Sequence, residues 1–340
     1  MKVKAFALIF LFCALSVGAK VKLPTLMGDN MILQQQTEVK LWGKATPKAE
    51  VRVTPSWNGK IATCRADKDG NWLLTVSTPK AGYTPYEITF DDGEKTSVKN
   101  VLIGEVWLAS GQSNMEMPLR GFGGCCIMNG ADDIIAASDN KGVRMFTVPK
   151  DQSYEPKTEC EGSWNVATIE TAPNFSATAY HFATSLSRAL QIPVGIINSS
   201  YGGATVEGWI SRKLLETYPD VSLNPDSVAR LHPMHRPLLM YNAMLKPLQN
   251  YTIKGFIWYQ GESNVGRHDT YAQRLADMVQ LWRNDWGLGE LPFYFVEIAP
   301  YAYDDAWDGT AGAYLREAQF KAQSLIPNSA MISTNNLVEP

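Results

Sequence analysis

Three short stretches carry the residue types that acyl-transfer chemistry needs. The first is Gly104-Glu105-Val106-Trp107-Leu108-Ala109-Ser110-Gly111-Gln112-Ser113-Asn114-Met115, where an apolar run from Val106 to Ala109 leads into small residues and a serine flanked by amides. That layout holds a hydroxyl exposed at the carboxyl end of a buried strand, which makes Ser113 a candidate nucleophile. The same residues also suit an ordinary polar turn. The second stretch, Ser199-Ser200-Tyr201-Gly202-Gly203-Ala204-Thr205, is followed by Glu207, Gly208 and Trp209. Its paired glycines let backbone N–H groups approach an oxyanion closely, although glycine-rich loops are common in any α/β fold. The third, Gln260-Gly261-Glu262-Ser263-Asn264, packs four polar side chains onto a strand end, where open α/β sheets place their ligands. The competing reading is a solvated loop whose Glu262 and Asn264 cap backbone groups.

The elements that must position these stretches follow from periodicity. From Val21 to about Asn100 the chain alternates apolar and polar residues in short runs (38–43, 50–54, 72–76, 86–90) broken by Asn58-Gly59, Asp69-Gly70-Asn71 and Asp91-Asp92-Gly93. This predicts a small antiparallel β-sandwich whose aromatics, Trp42, Trp57, Trp72, Tyr83 and Tyr86, belong to its core or stack on sugars. After Val101 apolar strands alternate with amphipathic helices, the pattern of a parallel sheet. Helices are predicted over 176–190, capped by Ser176, and over about 270–284 and 313–325; strands over 193–198, 253–259, 292–298 and 330–333. Residues 121–129, with Cys125 and Cys126, read as a loop.

An apolar content of 45%, a charged content of 19% and a net charge of −3 describe an ordinary globular protein with no basic surplus for nucleic acid. Residues 1–19 have a basic start, an apolar run from Ala5 to Leu15 and a small-residue end at Val17-Gly18-Ala19, the pattern of a cleavable secretory signal. The mature chain is expected to begin near Lys20 and to be secreted or periplasmic. Cys13 is a poor lipidation site because Phe12 precedes it. The remaining cysteines, Cys64, Cys125, Cys126 and Cys160, lack zinc-site spacing and do not define a disulfide pairing, so no metal and no cofactor are expected.

Gly-Gln-Ser-Asn-Met at 111–115, Gly-Gly-x5-Trp at 202–209 and Trp-Tyr-Gln-Gly-Glu-Ser-Asn at 258–264, supported by Tyr241-Asn242-Ala243-Met244, together resemble the sialate O-acetylesterase family of SGNH hydrolases. The resemblance spans the mature chain. Behind the signal peptide (1–19) and the β-sandwich domain (20–100) read from the pattern, it implies a flavodoxin-like three-layer α/β/α esterase domain (101–340). It further implies removal of O-acetyl groups from sialic acids or other acetylated glycans by nucleophilic Ser113, with no membrane span. The oxyanion hole would be the N–H groups of Ser113 and Gly203 and a side-chain amide, Gln260 before Asn264, since Glu262 cannot donate while ionised. Gln112, Asn114, Trp209, Glu262 and His235 are the substrate-binding candidates.

The family's Asp-x-x-His block does not appear before Pro340, so the catalytic histidine and acid are expected beyond it. Of the four histidines, His181 is expected to be packed, His232 and His235 to lie on a loop lining the cleft, and His268 to be solvated. Acetyl xylan esterase activity and a catalytically dead glycan-binding protein are the competing functional readings.

Overall fold

The structure, a computed structural model, describes residues 20–301 and 310–337; residues 1–19 and the expected Asp-x-x-His block lie outside the described residues. Strands β1 (Ile32–Gln34), β2 (Glu38–Lys44), β3 (Glu50–Pro55), β4 (Ala62–Arg65), β5 (Asn71–Ser77) and β6 (Gly82–Asp91) form from the alternating runs. Alternate residues of β5, Trp72, Leu74 and Val76, are buried, as period-2 patterning requires. β2 pairs antiparallel with β5, and β3 pairs antiparallel with both β4 and β6.

β7 (Lys95–Gly111) is 17 residues long. Its start pairs antiparallel with β6, Phe90 opposite Thr96, whereas its end lies in a parallel sheet. Asn100 takes a left-handed φ of 56° between these two stretches, and its amide donates to Asn30 Oδ1 at 2.7 Å. Asparagine tolerates that region better than other side chains do.

The remaining strands are β8 (Val143–Thr147), β9 (Trp164–Val166), β10 (Val194–Ser200), β11 (Gly255–Tyr259), β12 (Phe293–Val296) and β13 (Ser329–Ile332). Their order is β13-β12-β11-β7-β10-β8-β9, parallel except for edge strand β9. Helices are α1 (Ser113–Glu116), α2 (Gly130–Ala136), α3 (Ala177–Leu190), α4 (Arg212–Leu215), α5 (Pro225–Arg230), α6 (His268–Trp286) and α7 (Ala311–Leu325). The fold is thus a mixed α/β fold with a central sheet. Ser176 caps α3 as expected, its hydroxyl accepting from Ala179 N at 3.0 Å.

Side chains of β11 show how the sheet is covered. Phe256 and Trp258 pack against Trp282 of α6 in the apolar cluster that also holds Leu315 of α7, while Ile257 belongs to a second cluster with Trp107 and with Ala179, Tyr180 and Ala183 of α3. Full burial of such side chains stabilises by about 1.5–3 kcal/mol each. Among the described residues no helix is long and apolar enough to cross a membrane.

Candidate active site

β7 lies between β10 and β11, and Gly111 stands opposite both Ser200 and Tyr259. The three motif loops therefore leave adjacent strands at one level, where the strand order reverses. Gly111 has φ of 142°, and a Cβ there would lie 2.1 Å from the Tyr259 carbonyl oxygen, so only glycine lets β11 approach. Gln112 N donates to that carbonyl at 3.0 Å.

Ser113 follows at the start of α1, half-buried, and neither its Oγ nor its N–H makes a hydrogen bond among the described residues. The neighbouring loop is held by Glu116, which accepts from Gly202 N at 2.5 Å and pairs with Lys150 at 2.6 Å. Lys150 in turn sits 5.4 Å from the Tyr201 ring centre. Gly203 has φ of 75°, and its N–H likewise donates to none of the described residues. Met234 lies over Gly203, its sulfur 2.0 Å from where a Cβ would stand.

The amides behave differently from expectation. Gln260 is fully buried, its Nε2 donates to Ala204 O at 3.0 Å and to Asn264 Oδ1 at 2.8 Å, and its Oε1 accepts from Tyr271 at 3.0 Å. With both hydrogens engaged it braces the glycine loop from beneath and offers none to an oxyanion. Asn264 is also buried: Oδ1 accepts from Val206 N at 3.0 Å, and Nδ2 faces Glu207 Oε2 at 3.2 Å. Gln112 is a buried staple whose Oε1 accepts from Gly261 N at 3.1 Å and Ser263 N at 3.3 Å. Trp209, expected against substrate, is instead 0% exposed and packs edge-on against Trp258 at 6.2 Å. Its carbonyl accepts from Trp282 Nε1 at 3.0 Å. The site rests on this tryptophan layer.

Asn114 Nδ2 donates to Glu262 Oε1 at 2.7 Å, and Glu262 Oε2 is buried with no partner among the described residues. Burial pushes the Glu262 carboxyl above the usual carboxylate range, only partly offset by a backbone N–H and the Asn114 amide. Burial, with the Glu262 charge adding to it, pushes the Tyr259 hydroxyl up to about 12.

Beside the second and third loops is a cavity of about 480 Å³ that includes Thr205, Glu207, Asp220, His235, Ser263 and Arg267 in its lining. Buried Glu207 accepts from Arg274 Nη1 at 2.6 Å, and the other arm of Arg274 bonds Asp220. Burial alone would raise the Glu207 carboxyl, yet the charges of Arg267 and Arg274 with hydrogen bonds from backbone and Asn264 hold it below the usual range. A larger cavity of about 590 Å³, between Trp42 and Lys246, contains none of the motif residues.

Among the described residues no hydrogen bond joins a histidine to Ser113. His181 is exposed rather than packed, 3.4 Å from Asp133. His268 is half-buried rather than solvated, its ring stacked on Tyr314 with centroids 4.9 Å apart. His232 and His235 lie on an exposed loop. Among the described residues Cys64, Cys125, Cys126 and Cys160 are free, and burial pushes the Cys160 thiol up to about 11.

Sequence reasoning missed Arg274, which holds Glu207. A signal existed: Tyr271, Leu275 and Met278 mark the core face of α6, and Arg274 falls on the same stripe, where a charge requires a buried partner.

The sequence profile of the family described as "carbohydrate esterase, sialic acid-specific acetylesterase" matches residues 103–339. The chain belongs to this family. Among relatives of this esterase-family chain is the sialate O-acetylesterase of Mus musculus, 29% identical, with 86% of this chain and 63% of that protein covered. The sialate O-acetylesterase of Homo sapiens is 30% identical over 84% of this chain and 58% of its own length. The chain thus spans less than two thirds of these curated relatives. Among solved structures, a carbohydrate acetylesterase from Xanthomonas citri is 34% identical with a TM-score of 0.81, covering 92% of this chain and 68% of that one.

Proposed function

We propose that this family member is a serine carbohydrate esterase that removes O-acetyl groups from sugars, sialic acids first among them, through an acyl-enzyme on Ser113. The observation that carries the reading is a serine on the central strand end whose Oγ and N–H are unengaged by the described residues, with the equally unengaged N–H of Gly203 on the next strand end. Ser113 Oγ attacks the acetyl carbonyl, and the two N–H groups stabilise the oxyanion by about 3–4 kcal/mol each. Collapse releases the sugar hydroxyl, and water then hydrolyses the acetyl-serine. No described residue is hydrogen-bonded to Ser113 Oγ to take its proton, a role the family resemblance assigns to the histidine of the Asp-x-x-His block.

The fold is read as the SGNH type with a front β-sandwich, supported by helices on both faces of the sheet and by alternating burial in β3 and β5. Residues 1–19 support export to the periplasm or medium.

Acetate release is to be measured on 4-nitrophenyl acetate, 9-O-acetylated sialic acid and acetylated xylan side by side. Ser113→Ala is expected to lower turnover about a thousandfold or more. Undiminished turnover in that variant rejects the assignment, and preference for xylan moves the substrate class to neutral sugars.

A further inference from the structure

Alternation along β2 buries Val39 and Leu41 and turns Lys40, Trp42 and Lys44 to the opposite face. Across the ladder Trp42 stands opposite Leu73, which is 47% exposed. A tryptophan beside a bare leucine on the polar face of a sheet calls for a cover, whereas Trp72, on the inner face, already has Phe90 with ring centroids 5.9 Å apart. The cover is partial. Residues 246–252 approach this face, Thr252 Oγ1 accepting from Lys40 N at 3.4 Å, and Tyr251 meets Trp42 edge-to-face at 6.4 Å. Beyond that contact Trp42 and Leu73 line the cavity of about 590 Å³, a size within the roughly 300–1,000 Å³ of small-molecule sites.

The charged groups in the cavity wall are already engaged. Lys157 pairs with Asp151, Lys246 donates to Gln249 Oε1 at 2.8 Å and lies over the Tyr241 ring, and Arg65 donates to the Lys48 carbonyl at 3.1 Å. Asp67 accepts from Asp69 N, Asn71 N and Asn71 Nδ2. Uncharged groups are left. The Asn250 amide and the Thr158 hydroxyl, both in the wall, make no hydrogen bond among the described residues, and the buried Trp72 Nε1 has no acceptor among them. An apolar ring, an apolar side chain and neutral donors and acceptors match a pyranose, whose C–H face is apolar and whose rim carries hydroxyls.

We propose that this cavity is a glycan subsite that seats a neutral pyranose unit against Trp42. It is separate from the site at Ser113, since no residue of the three motifs lines it. Binding there needs no turnover, so it does not rest on the esterase reading.

The test is a calorimetric titration of the whole protein with two neutral sugars that carry no acetyl group, xylohexaose and lactose, on wild type, Trp42→Ala, Trp42→Tyr, Leu73→Arg and Ser113→Ala. The wild type should bind at least one of them at millimolar concentration or below. Trp42→Ala should weaken that binding at least about tenfold, as truncation of a central aromatic anchor does, and Trp42→Tyr should keep part of the affinity. Leu73→Arg, at an exposed position outside the core, obstructs the cavity and should lower affinity by a similar factor, so it decides the matter if Trp42→Ala loses its fold. Ser113→Ala should bind as the wild type does, and added salt should leave the affinity unchanged, because no ion pair forms. Absence of binding to both sugars, undiminished affinity in Leu73→Arg or in folded Trp42→Ala, loss of binding in Ser113→Ala, or a steep fall with salt each overturns the proposal. Failure of the esterase reading looks different: a sugar binds with the expected dependence on Trp42 and no ester releases acetate.

Discussion

Arg274→Met removes the cation from a pair that is shielded from water on both sides, since the Arg274 and Glu207 side chains are each 4% exposed and their contact is 2.6 Å. Breaking a buried pair from one side costs about 3–5 kcal/mol, because the remaining charge keeps its desolvation penalty. Arg267 remains 3.8 Å from Glu207, which places the cost at the lower end, about 3 kcal/mol. For a chain of this size that is roughly 6 °C in Tm. The pH dependence gives the argument its sign. In the wild type the Glu207 pKa is depressed, so its contribution is present above its unfolded value of about 4.3 and is lost as pH falls through the folded value. In the variant one of the two lowering charges is gone while burial and Arg267 remain, so the pKa lies above that of the wild type, and the difference between the two proteins is full above both values and fades as pH falls. The gap in Tm between wild type and variant should therefore be wider at pH 8 than at pH 4.5. Arg274→Met combined with Glu207→Gln should recover most of the loss, because no buried charge is left behind. Differential scanning fluorimetry at both pH values checks this. An equal gap at the two pH values, or a double variant no better than the single, refutes the reasoning.

Gly111→Ala should abolish soluble folded protein or sharply lower Tm, since its Cβ would lie 2.1 Å from a carbonyl oxygen at a φ of 142°; normal expression and melting would contradict it. Asn114→Leu removes the 2.7 Å amide contact that lowers the Glu262 carboxyl, so that group should titrate at still higher pH. Carbon-13 NMR of the Glu262 carboxyl reads the shift, and an unmoved titration argues against it. Ser176→Ala deletes the cap on α3 and should cost about 1 kcal/mol, roughly 2 °C in Tm, with turnover unchanged.

Strong periodicity was legible in detail. The predicted helix over 270–284 forms as His268–Trp286, and the strand over 253–259 as Gly255–Tyr259. β8 escaped notice because Arg144 interrupts its apolar run; it is 5% exposed, and its Nη2 donates to Asn100 at 3.3 Å. Only the folded chain brings those residues together. At the site, strand-end positions for Ser113, Gly203 and the third motif followed from local pattern. The directions of the amides did not, because Gln260 and Asn264 point where Ala204, Tyr271 and Glu207 lie, and those partners are up to 57 residues distant in sequence.

The unbroken run of β7 ties the candidate serine to residues far in front of it. Lys95 and Gly111 belong to one strand, so the hydroxyl of Ser113 stands on the tip of a rod whose other end is clamped by β6 and, further along, by β1. A cut anywhere in that rod would strip hydrogen-bonded neighbours from the central strand of the sheet. Evolution can therefore exchange the front strands of such a fold only together with the strand that leads to Ser113, and limited proteolysis should nick the outer loops long before it parts the two.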